Sequence, residues 1–371
     1  MGHYSLRPVN TSDYDFYLPP DRIAQTAVEP RDSARLLVHR VMSDETQHGH
    51  VRDLGDSLED GDLLVVNNSR VRHARLMARR SSGGRVELLF LETVAEPSGA
   101  WRVLVRPGKK QRPGDLLVVG EGLGVRLLER ETGTDGEPLS TWTAAMEGAE
   151  AEARSDEALL ETFGQVPLPP YIERAPDDPR LKQDALRYQT VYAAQTGSVA
   201  APTAGLHFTP ELLARLESRG VRRAEVTLHV GLGTFQPVQV EDPEEHKMHA
   251  ETYSLPQRTA DLVSETRQRG GRVICVGTTA ARVLETCAQP GGLVAPGAGE
   301  TRIFLRPPHG PRVADALLTN FHLPRTSLLM LVASFIGTQR MLRLYAEAIE
   351  AEYRFYSYGD TMLLFGVRRE D

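Results

Sequence analysis

The sequence predicts an α/β main domain with a mostly parallel sheet, into which a separate all-β barrel domain is inserted. Two observations predict this fold class. From about residue 156 onward, helical and strand patterns alternate along the chain, which is typical of β-α units that build a parallel sheet. Before that, residues 73–152 contain short β-prone runs separated by Gly, Pro and Ser, a pattern typical of a small barrel or sandwich.

The α/β part contains both ends of the chain. Short apolar runs bounded by turn residues predict strands at 36–38, 62–66, 224–230, 272–276, 303–305, 316–318 and 362–367. Helical periodicity predicts helices at 156–163, 212–219, 259–269, 280–288, 327–336 and 340–351. We assign residues 1–72 and 153–371 to this discontinuous domain, and we expect its ligand sites at the carboxyl ends of the strands.

The inserted segment has a different pattern. Its β-prone runs lie at 86–91, 101–105, 116–119, 125–128 and 140–144. Turns such as Ser81-Ser82-Gly83-Gly84 and Arg106-Pro107-Gly108 separate the runs, and a small acidic stretch near 149–155 follows them. We therefore assign residues 73–152 to an inserted β-barrel domain.

Composition argues against several classes of protein. With 40% hydrophobic and 25% charged residues in a chain of 371, this is an ordinary globular protein of about two domains. The longest apolar run, 327–336, is about half of the roughly 20 residues that a membrane span requires, and the first residues lack a signal-peptide pattern. Two cysteines provide no disulfide framework. We expect a cytoplasmic protein with no membrane partner.

Charge is unevenly distributed along the chain. The net charge of −7 is unusual for a nucleic-acid-binding protein. Residues 70–112, however, contain eleven Lys/Arg and three Glu, whereas residues 113–161 contain three Arg and twelve carboxylates. The basic segment is either an electrostatic footprint for a polyanion or a solvated Arg-rich face.

Four stretches have the composition of site loops. Residues 198–209 are small and nearly uncharged, and they place His207 just before a helix that Thr209 would cap. Residues 229–235 end a strand with two glycines, but they lack the third glycine of a dinucleotide-binding fingerprint, so we reject a Rossmann site. Residues 276–282 read as a strand, a turn and a helix start, and residues 319–324 are polar between a strand and a helix.

The sequence does not predict a metal site. His246, His249 and Glu251 are close in sequence, but their spacing matches no common zinc pattern. The sequence also has no P-loop, no Gly-x-Ser-x-Gly elbow and no His-Glu-x-x-His helix. From these motifs alone, the prediction is an α/β enzyme with histidine-bearing loops and an inserted β-domain.

The chain resembles the S-adenosylmethionine:tRNA ribosyltransferase-isomerases of queuosine biosynthesis over nearly its whole length. The resemblance rests on many motifs in the same order, at 23–25, 31–38, 62–71, 167–172, 187–192, 198–209, 227–235, 248–251, 276–279, 318–324 and 353–360. The chain departs from the family pattern at 15–19, 306–310 and 325–327.

The resemblance implies an α/β domain with an inserted barrel, and it also implies a reaction. The ribosyl part of S-adenosylmethionine is transferred and isomerised onto 7-aminomethyl-7-deazaguanine in the tRNA anticodon loop. Epoxyqueuosine is formed, and adenine and methionine are released. We therefore expect S-adenosylmethionine as co-substrate and tRNA as partner, with no permanently bound cofactor and no obligatory protein partner.

With this reaction in view, we assign hypothetical roles to residues of this sequence. The candidates for acid and base catalysis are His207, His229, His322, Glu251 and Asp360. The candidates for substrate binding are Gly205, Gly231, Gly233, Thr234, Gly277, Thr278, Thr279, Arg282 and Asn320. The candidates for RNA binding are Arg70, Arg72, Arg79, Arg80, Lys109 and Lys110. A loop-anchoring hydrogen bond explains any one of the histidines equally well.

Two other functions are compatible with parts of the sequence. A non-catalytic RNA-binding protein would use the barrel and the basic segment 70–112 and would not need the histidines. A methyltransferase that uses S-adenosylmethionine would usually carry a glycine-rich loop after its first strand, and no such loop is found.

Overall fold

A computed structural model describes residues 10–133, 136–175, 178–231 and 238–366. The chain divides into two compact units. The first, called the sheet unit, comprises the described residues within Met1–Arg70, Pro169–Arg180 and Leu186–Asp371. The second, called the barrel unit, comprises those within Val71–Leu168 and Leu181–Ala185. None of the described helices is both long and apolar enough to span a membrane.

The elements follow one another along the chain. The described strands are β1 (Arg35–Arg40), β2 (Glu45–His50), β3 (Leu63–Asn67), β4 (Ser69–Val71), β5 (Arg75–Arg79), β6 (Arg85–Thr93), β7 (Ala100–Arg106), β8 (Leu116–Gly120), β9 (Leu123–Thr132), β10 (Pro138–Glu147), β11 (Gln195–Ser198), β12 (Arg222–Leu228), β13 (Glu251–Leu255), β14 (Val273–Val276), β15 (Ala288–Gln289), β16 (Leu293–Val294), β17 (Gly297–Thr301), β18 (Ala316–Asn320) and β19 (Thr361–Phe365). The described α-helices are α1 (Ala149–Ala153), α2 (Asp156–Phe163), α3 (Leu181–Arg187), α4 (Pro210–Ser218), α5 (Gln257–Gln268), α6 (Thr278–Thr286), α7 (Ser327–Ile336) and α8 (Thr338–Glu350).

The sheet unit contains a nine-stranded sheet in the order β17-β13-β12-β3-β14-β18-β19-β1-β2. The pairs β12·β3, β3·β14, β14·β18 and β19·β1 are parallel, and the remaining four pairs are antiparallel. The prediction of a mostly parallel sheet is therefore only partly confirmed: the sheet is mixed, with a parallel centre. One reason is that two helices, α7 and α8, separate β18 from β19. Each helix crosses the sheet once, so β19 starts at the end where β18 stops and runs antiparallel to it.

The central strands are buried on both faces. Along β3, Leu63 and Val65 join the core on one face, which includes residues of α5 to α8. Leu64 and Val66 join the core on the other face, which includes residues of α4. Strands covered on both sides read as continuous apolar runs, which explains why β3, β14 and β18 are readily predicted from the sequence.

One predicted strand is wrong and three strands of the sheet are not predicted. The run 303–305 forms no strand, because the N–H of Ile303 donates to Oγ1 of Thr301 (3.2 Å) instead of to a neighbouring strand. Leu305 is nevertheless buried in the core, so the hydrophobicity of this run serves loop packing. Strands β2, β13 and β17 are not predicted because their sequences have few large apolar residues and most of their residues are at least partly exposed.

The barrel unit contains a closed barrel of six strands in the order β10-β7-β6-β5-β8-β9. The sequence predicts five of these strands. The sixth, β5, buries only Leu76 and Ala78, and its two arginines obscure this alternation. Trp142 and Phe90 are completely buried in this unit.

Threonines cap two helix starts, of which the cap of α4 by Thr209 is the predicted one. In α4, Oγ1 of Thr209 accepts a hydrogen bond from the N–H of Leu212 (3.1 Å), and Pro210 occupies the first position. In α7, Oγ1 of Thr326 accepts a bond from the N–H of Leu329 (3.3 Å). Such caps satisfy N–H groups that have no partner within the helix. They fix the points at which the polar stretches 198–209 and 319–325 end.

Candidate active site

A cleft opens at the carboxyl ends of the parallel strands β14 and β18. Three loops of the sheet unit line it, residues 201–204, 277–279 and 319–323, together with Tyr171 and residues 356–357. The volume is about 650 Å³ when the space open to solvent is included. The cleft therefore lies where α/β domains bind their ligands.

The cleft contains parts of all four stretches that the sequence identifies as site loops. Val230, at the start of the glycine-containing stretch 229–235, lines it beside the other three. Gly233 and Thr234, which we predict to bind substrate, lie outside the described residues. Strand order brings these stretches together, because β12, β3, β14 and β18 are neighbours that run in the same direction.

His322 lies in the wall of the cleft. Its Nε2 is 2.9 Å from Oγ1 of Thr319, and its backbone N–H donates to the hydroxyl of Tyr345 (3.0 Å). Burial lowers the pKa of His322 to about 3, so the ring is neutral at pH 7. Within the described part of the chain, Nδ1 has no hydrogen-bond partner, which leaves one ring nitrogen for a ligand.

Asn320 lines the cleft with a fixed orientation. Its Nδ2 donates to the carbonyl of Tyr356 (2.9 Å). Its Oδ1 is buried and has no hydrogen bond of ordinary geometry to the described residues. The side chain of Asn320 also interacts with the buried ring of His207, so Asn320 connects that histidine to the cleft.

His207 lies at the end of the 3₁₀ helix Thr203–His207 and does not line the cleft. The ring is 5% exposed, and Nε2 has no hydrogen bond of ordinary geometry among the described residues. Burial lowers the pKa of His207 to about 4, and the carboxylate of Asp360 and the side chain of Asn320 oppose this only in part. The imidazole is therefore neutral at pH 7.

The carboxylate of Asp360 accepts hydrogen bonds from the backbone. Its Oδ1 accepts from the N–H of Arg35 (2.9 Å) and its Oδ2 from the N–H of Arg354 (2.8 Å), and the Arg354 guanidinium lies 3.6 Å from Oδ1. The side chain is buried and outside the cleft wall. These hydrogen bonds join the start of β1 to the segment before β19.

The N-terminus of α6 points polar groups into the cleft. Gly277 precedes the helix with φ +93°, a conformation that favours glycine, and both Thr278 and Thr279 line the cleft. Oγ1 of Thr279 is buried without a hydrogen-bond partner among the described residues. The first N–H groups of a helix lack partners within it. This end of α6 therefore suits a carboxylate or a ribose hydroxyl.

Glu251 and Arg282 form an ion pair beneath the cleft. Both are buried, at 5% and 4% exposure, and Nη1 of Arg282 bonds to Oε2 of Glu251. Oε1 of Glu251 also accepts from the N–H of Gly231 (3.2 Å). The pair thus ties α6 to the chain just before residues 232–237, and neither side chain lines the cleft.

Gly205 and His229 occupy tightly packed positions. A Cβ on Gly205 would collide with Tyr192, and a Cβ on Gly197 would lie 2.6 Å from Nδ1 of His229. The backbone N–H of His229 donates to the carbonyl of Thr252 (2.9 Å). Neither Gly205 nor His229 is part of the cleft lining.

The residues predicted to bind RNA differ in exposure. Four are exposed: Arg70, Arg79, Lys109 and Lys110. Arg80 is partly buried. Arg72 is engaged within the barrel unit, where it pairs with Glu157 (2.6 Å) and lies 4.9 Å above the ring of Trp101. Arg79, Lys109 and Lys110 are thus the exposed cations of the barrel unit within this set.

The predicted set omits several residues of the cleft lining, and Tyr171 and Tyr356 are among them. Tyr171 and Tyr356 both line the cleft, with ring centroids 3.9 Å apart and an angle of 57° between the rings. Each lies in a stretch that carries the family resemblance, 167–172 or 353–360. The position of the two tyrosines within those stretches is the sequence signal that could have identified them. Within the described residues, no group of three or more His, Cys, Asp or Glu side chains is arranged to hold a metal ion.

Comparisons with known proteins identify the family. The chain matches the family model described as "Queuosine biosynthesis protein" over residues 11–364. A relative from Symbiobacterium thermophilum, named S-adenosylmethionine:tRNA ribosyltransferase-isomerase, is 48% identical over 95% of this chain and 99% of its own length. A relative of the same name from Thermotoga maritima is 46% identical over 96% of this chain and all of its own.

A solved structure is also similar. The crystal structure of S-adenosylmethionine tRNA ribosyltransferase from Thermotoga maritima has 37% sequence identity to this chain and a TM-score of 0.53. The alignment covers 95% of this chain and 99% of that one. Sequence motifs, full-length relatives and structural likeness agree: the chain belongs to the queuosine biosynthesis protein family of S-adenosylmethionine:tRNA ribosyltransferase-isomerases.

Proposed function

We propose that this chain transfers the ribosyl group of S-adenosylmethionine to 7-aminomethyl-7-deazaguanine in the anticodon loop of tRNA. The ribosyl group is isomerised, epoxyqueuosine is formed, and adenine and methionine leave. One observation supports this proposal most directly. A single cleft contains a neutral imidazole, an unsatisfied amide oxygen and a helix N-terminus, on His322, Asn320 and α6. These groups can move a proton and hold the polar parts of a nucleoside.

The chemistry needs a proton acceptor near the sulfonium carbon. The positive sulfur makes the neighbouring C5′–H acidic, so a well-placed neutral base can remove that proton. Of the three predicted histidines, His322 alone lines the cleft, and we assign this role to it. The protonated imidazole could then return the proton to a ring nitrogen of the departing adenine. Methionine leaves as a neutral thioether, so no further proton is needed for its departure.

The polar wall of the cleft would hold the substrate. We assign the methionine carboxylate or the ribose to the N–H groups and hydroxyls of Thr278 and Thr279 beside Gly277. We assign a donor on the nucleoside or on the tRNA base to Oδ1 of Asn320. Such contacts position the reactants, which accounts for much of enzymatic rate acceleration, and the co-substrate itself carries the reactive bonds.

The other predicted residues would act from outside the cleft wall. His207 and Asp360 would support Asn320 and the segment 353–360. Glu251, Arg282, Gly205, Gly231 and His229 would hold the loops that surround the substrate. The exposed cations of the barrel unit, together with Arg70, would contact tRNA phosphates in the cytoplasm.

The test uses the purified protein, S-adenosylmethionine and a tRNA that carries the aminomethyl-deazaguanine. We expect adenine release, measured by chromatography, and an epoxyqueuosine nucleoside in the digested tRNA, identified by its mass. Transfer of a methyl group, or no turnover, would contradict the proposal, and tRNA binding without turnover would favour the non-catalytic RNA-binding protein.

The role of His322 has a separate test. Loss of a general base lowers rates by about 10²- to 10⁴-fold, so His322→Gln should lower kcat by that factor while the Kd for S-adenosylmethionine changes little. His50→Gln, at an exposed histidine on β2, is the matched control and should be unaffected. A normal kcat in His322→Gln would remove this residue from the mechanism.

A further inference from the structure

Three stretches that carry the family resemblance, 23–25, 167–172 and 353–360, are joined by hydrogen bonds beside the cleft. A backbone hydrogen bond joins the first of these stretches to the last: the N–H of Ala24 donates to the carbonyl of Phe355 (3.2 Å). The amide of Gln25 then binds the third stretch. Its Nε2 donates to the carbonyl of Tyr171 (2.7 Å), and its Oε1 accepts from the N–H of Glu173 (3.0 Å). The result is a rigid backbone frame around two tyrosines.

The two tyrosines present aromatic surface to the cleft. The ring centroids of Tyr171 and Tyr356 are 3.9 Å apart, and the rings are tilted by 57°, so the pair forms a bent aromatic wall. The hydroxyl of Tyr171 bonds to Oγ of Ser357, which fixes the ring of Tyr171. Tyr356 is partly exposed and lines the cleft.

The backbone holds Tyr356 in an unusual conformation. Its φ is +75°, a left-handed value that is rare and costly for a bulky side chain. Its carbonyl accepts from Nδ2 of Asn320 (2.9 Å) and from the N–H of Gly359 (2.9 Å), and its own N–H donates to the carbonyl of Phe321 (3.0 Å). These bonds maintain the strained conformation, and residues strained in this way cluster at ligand sites.

Packing alone does not account for Tyr356. The nearby Tyr345 illustrates a structural tyrosine, because it is fully buried and its hydroxyl accepts a bond from the N–H of His322. Tyr356 is partly exposed, and its hydroxyl has no hydrogen bond to any residue that the structure describes. Packing in a core does not by itself require the positive φ that Tyr356 adopts.

We propose that Tyr171 and Tyr356 form a stacking platform for a purine-type ring, with the hydroxyl of Tyr356 available to the edge of that ring. The inference rests on the proposed function, which supplies two such rings: the adenine of S-adenosylmethionine and the 7-deazaguanine of the tRNA. A flat base has apolar faces that stack on aromatic side chains. A pre-formed platform binds it with little loss of side-chain freedom.

Two substitutions separate the ring from the hydroxyl. Tyr356→Leu removes the aromatic face and keeps a bulky apolar side chain, whereas Tyr356→Phe keeps the face and removes the hydroxyl. Equilibrium dialysis with S-adenosylmethionine gives one Kd, and filter binding with the substrate tRNA gives another. Since stacking on an aromatic side chain changes affinity by about 5- to 150-fold, Tyr356→Leu should raise one of the two Kd values by that factor. Tyr356→Phe should stay within about fivefold of the unmodified protein.

The two measurements identify the bound ring. A higher Kd for S-adenosylmethionine assigns the platform to adenine, and a higher Kd for tRNA assigns it to the deazaguanine. Tyr171→Leu should raise the same Kd, and it provides the answer if Tyr356→Leu fails to fold. Tyr17→Leu, at a tyrosine that is 80% exposed, is the control and should change neither Kd.

Unchanged Kd values in both Tyr356→Leu and Tyr171→Leu would overturn the platform. This failure is distinct from failure of the proposed function, which is recognised by the absence of adenine release from the unmodified protein. Because the dialysis measures binding without turnover, it tests the platform in either case.

Discussion

The buried, neutral His207 predicts that acid destabilises the sheet unit well above the pH at which carboxylates protonate. The pKa of this histidine is about 4 in the folded protein, because burial disfavours the imidazolium, whereas a histidine in an unfolded chain titrates near 6.5. Between these values the unfolded chain binds a proton that the folded protein does not bind. Folding stability therefore falls as the pH is lowered through this window and is regained above pH 6.5.

The magnitude follows from the two pKa values. Between pH 7.5 and pH 5.0, linkage at His207 alone costs about 2 kcal/mol of unfolding free energy. His322, whose pKa burial lowers to about 3, contributes about the same over this interval. The substitution His207→Gln removes the titrating group and retains a polar side chain. The variant should therefore lose about 2 kcal/mol less than the unmodified protein when the pH is lowered to 5.0.

The assay is urea unfolding followed by far-UV circular dichroism at pH 7.5, 6.5, 5.7 and 5.0. Circular dichroism is the appropriate signal because the longer helices, α4 to α8, belong to the sheet unit. Tryptophan fluorescence would report on the other unit, since Trp101 and Trp142 both lie in the barrel. His50→Gln, at an exposed ring, is the control and should retain the pH dependence of the unmodified protein.

Two results would refute the reasoning. If His207→Gln loses as much stability between pH 7.5 and 5.0 as the unmodified protein, His207 is not buried and neutral as described. If neither protein loses stability in this interval, the desolvation argument fails for His322 as well. His39 and His246, whose pKa values burial also lowers, are present in both proteins and cancel in the comparison.

Three further predictions concern the buried pair, the strained tyrosine and the basic segment. Glu251→Gln should cost about 3–5 kcal/mol of stability, because it leaves the guanidinium of Arg282 buried without a counter-charge, and Glu251→Gln/Arg282→Met should recover most of this loss in urea unfolding. Tyr356→Gly should be more stable than Tyr356→Ala by about 1 kcal/mol, since only glycine tolerates the φ of +75° without strain. Reversing charge with Arg79→Glu and Arg80→Glu should weaken tRNA binding and reduce the slope of log K against log salt by about 2.

Matched variants make these predictions decisive. Glu300→Gln, at an exposed carboxylate on β17, should leave the urea midpoint unchanged, and a double variant as unstable as Glu251→Gln would show that the pair is not the cause. Equal stability of the Gly and Ala variants at Tyr356 would exclude backbone strain there. Arg269→Glu, at the exposed end of α5, controls for net charge, and an unaltered salt slope at Arg79 and Arg80 would make that segment a solvated face.

The parts of the fold that local chemistry determines could be predicted from the sequence. Helices α2 and α7 begin and end at the predicted residues, because Ser155 and Thr326 cap them and Gly164 and Gly337 end them. Strand direction could not be predicted in the same way. Whether β19 pairs parallel or antiparallel depends on how many helices precede it and on which neighbour it joins, and no pattern within 361–365 records either.

The residues of the candidate site could likewise be predicted only in part from the sequence. Polar residues that follow buried strands predicted the loops at 276–279 and 319–324 that line the cleft, because carboxyl ends of parallel strands share one edge. Which side chains of those loops face the cleft depends on packing, so His207 and Glu251 lie outside its wall although their residue types suit catalysis. Tyr356 had no periodic signal, since its orientation results from a left-handed backbone that two hydrogen bonds to the distant residues 320–321 and one to the nearby Gly359 maintain.

The strand order of the sheet has a consequence for synthesis of the protein on the ribosome. Strand β1 needs β19 as its parallel neighbour, and about 320 residues separate the two strands in the chain. At translation rates of about 5–20 residues per second, β1 waits roughly 15–65 s for this partner. All six strands of the barrel, in contrast, emerge between residues 75 and 147. The nascent chain therefore has every strand of its barrel while β1, which pairs with the adjacent β2, and β3 still lack their parallel neighbours. The sheet unit is thus the later of the two units to be completed.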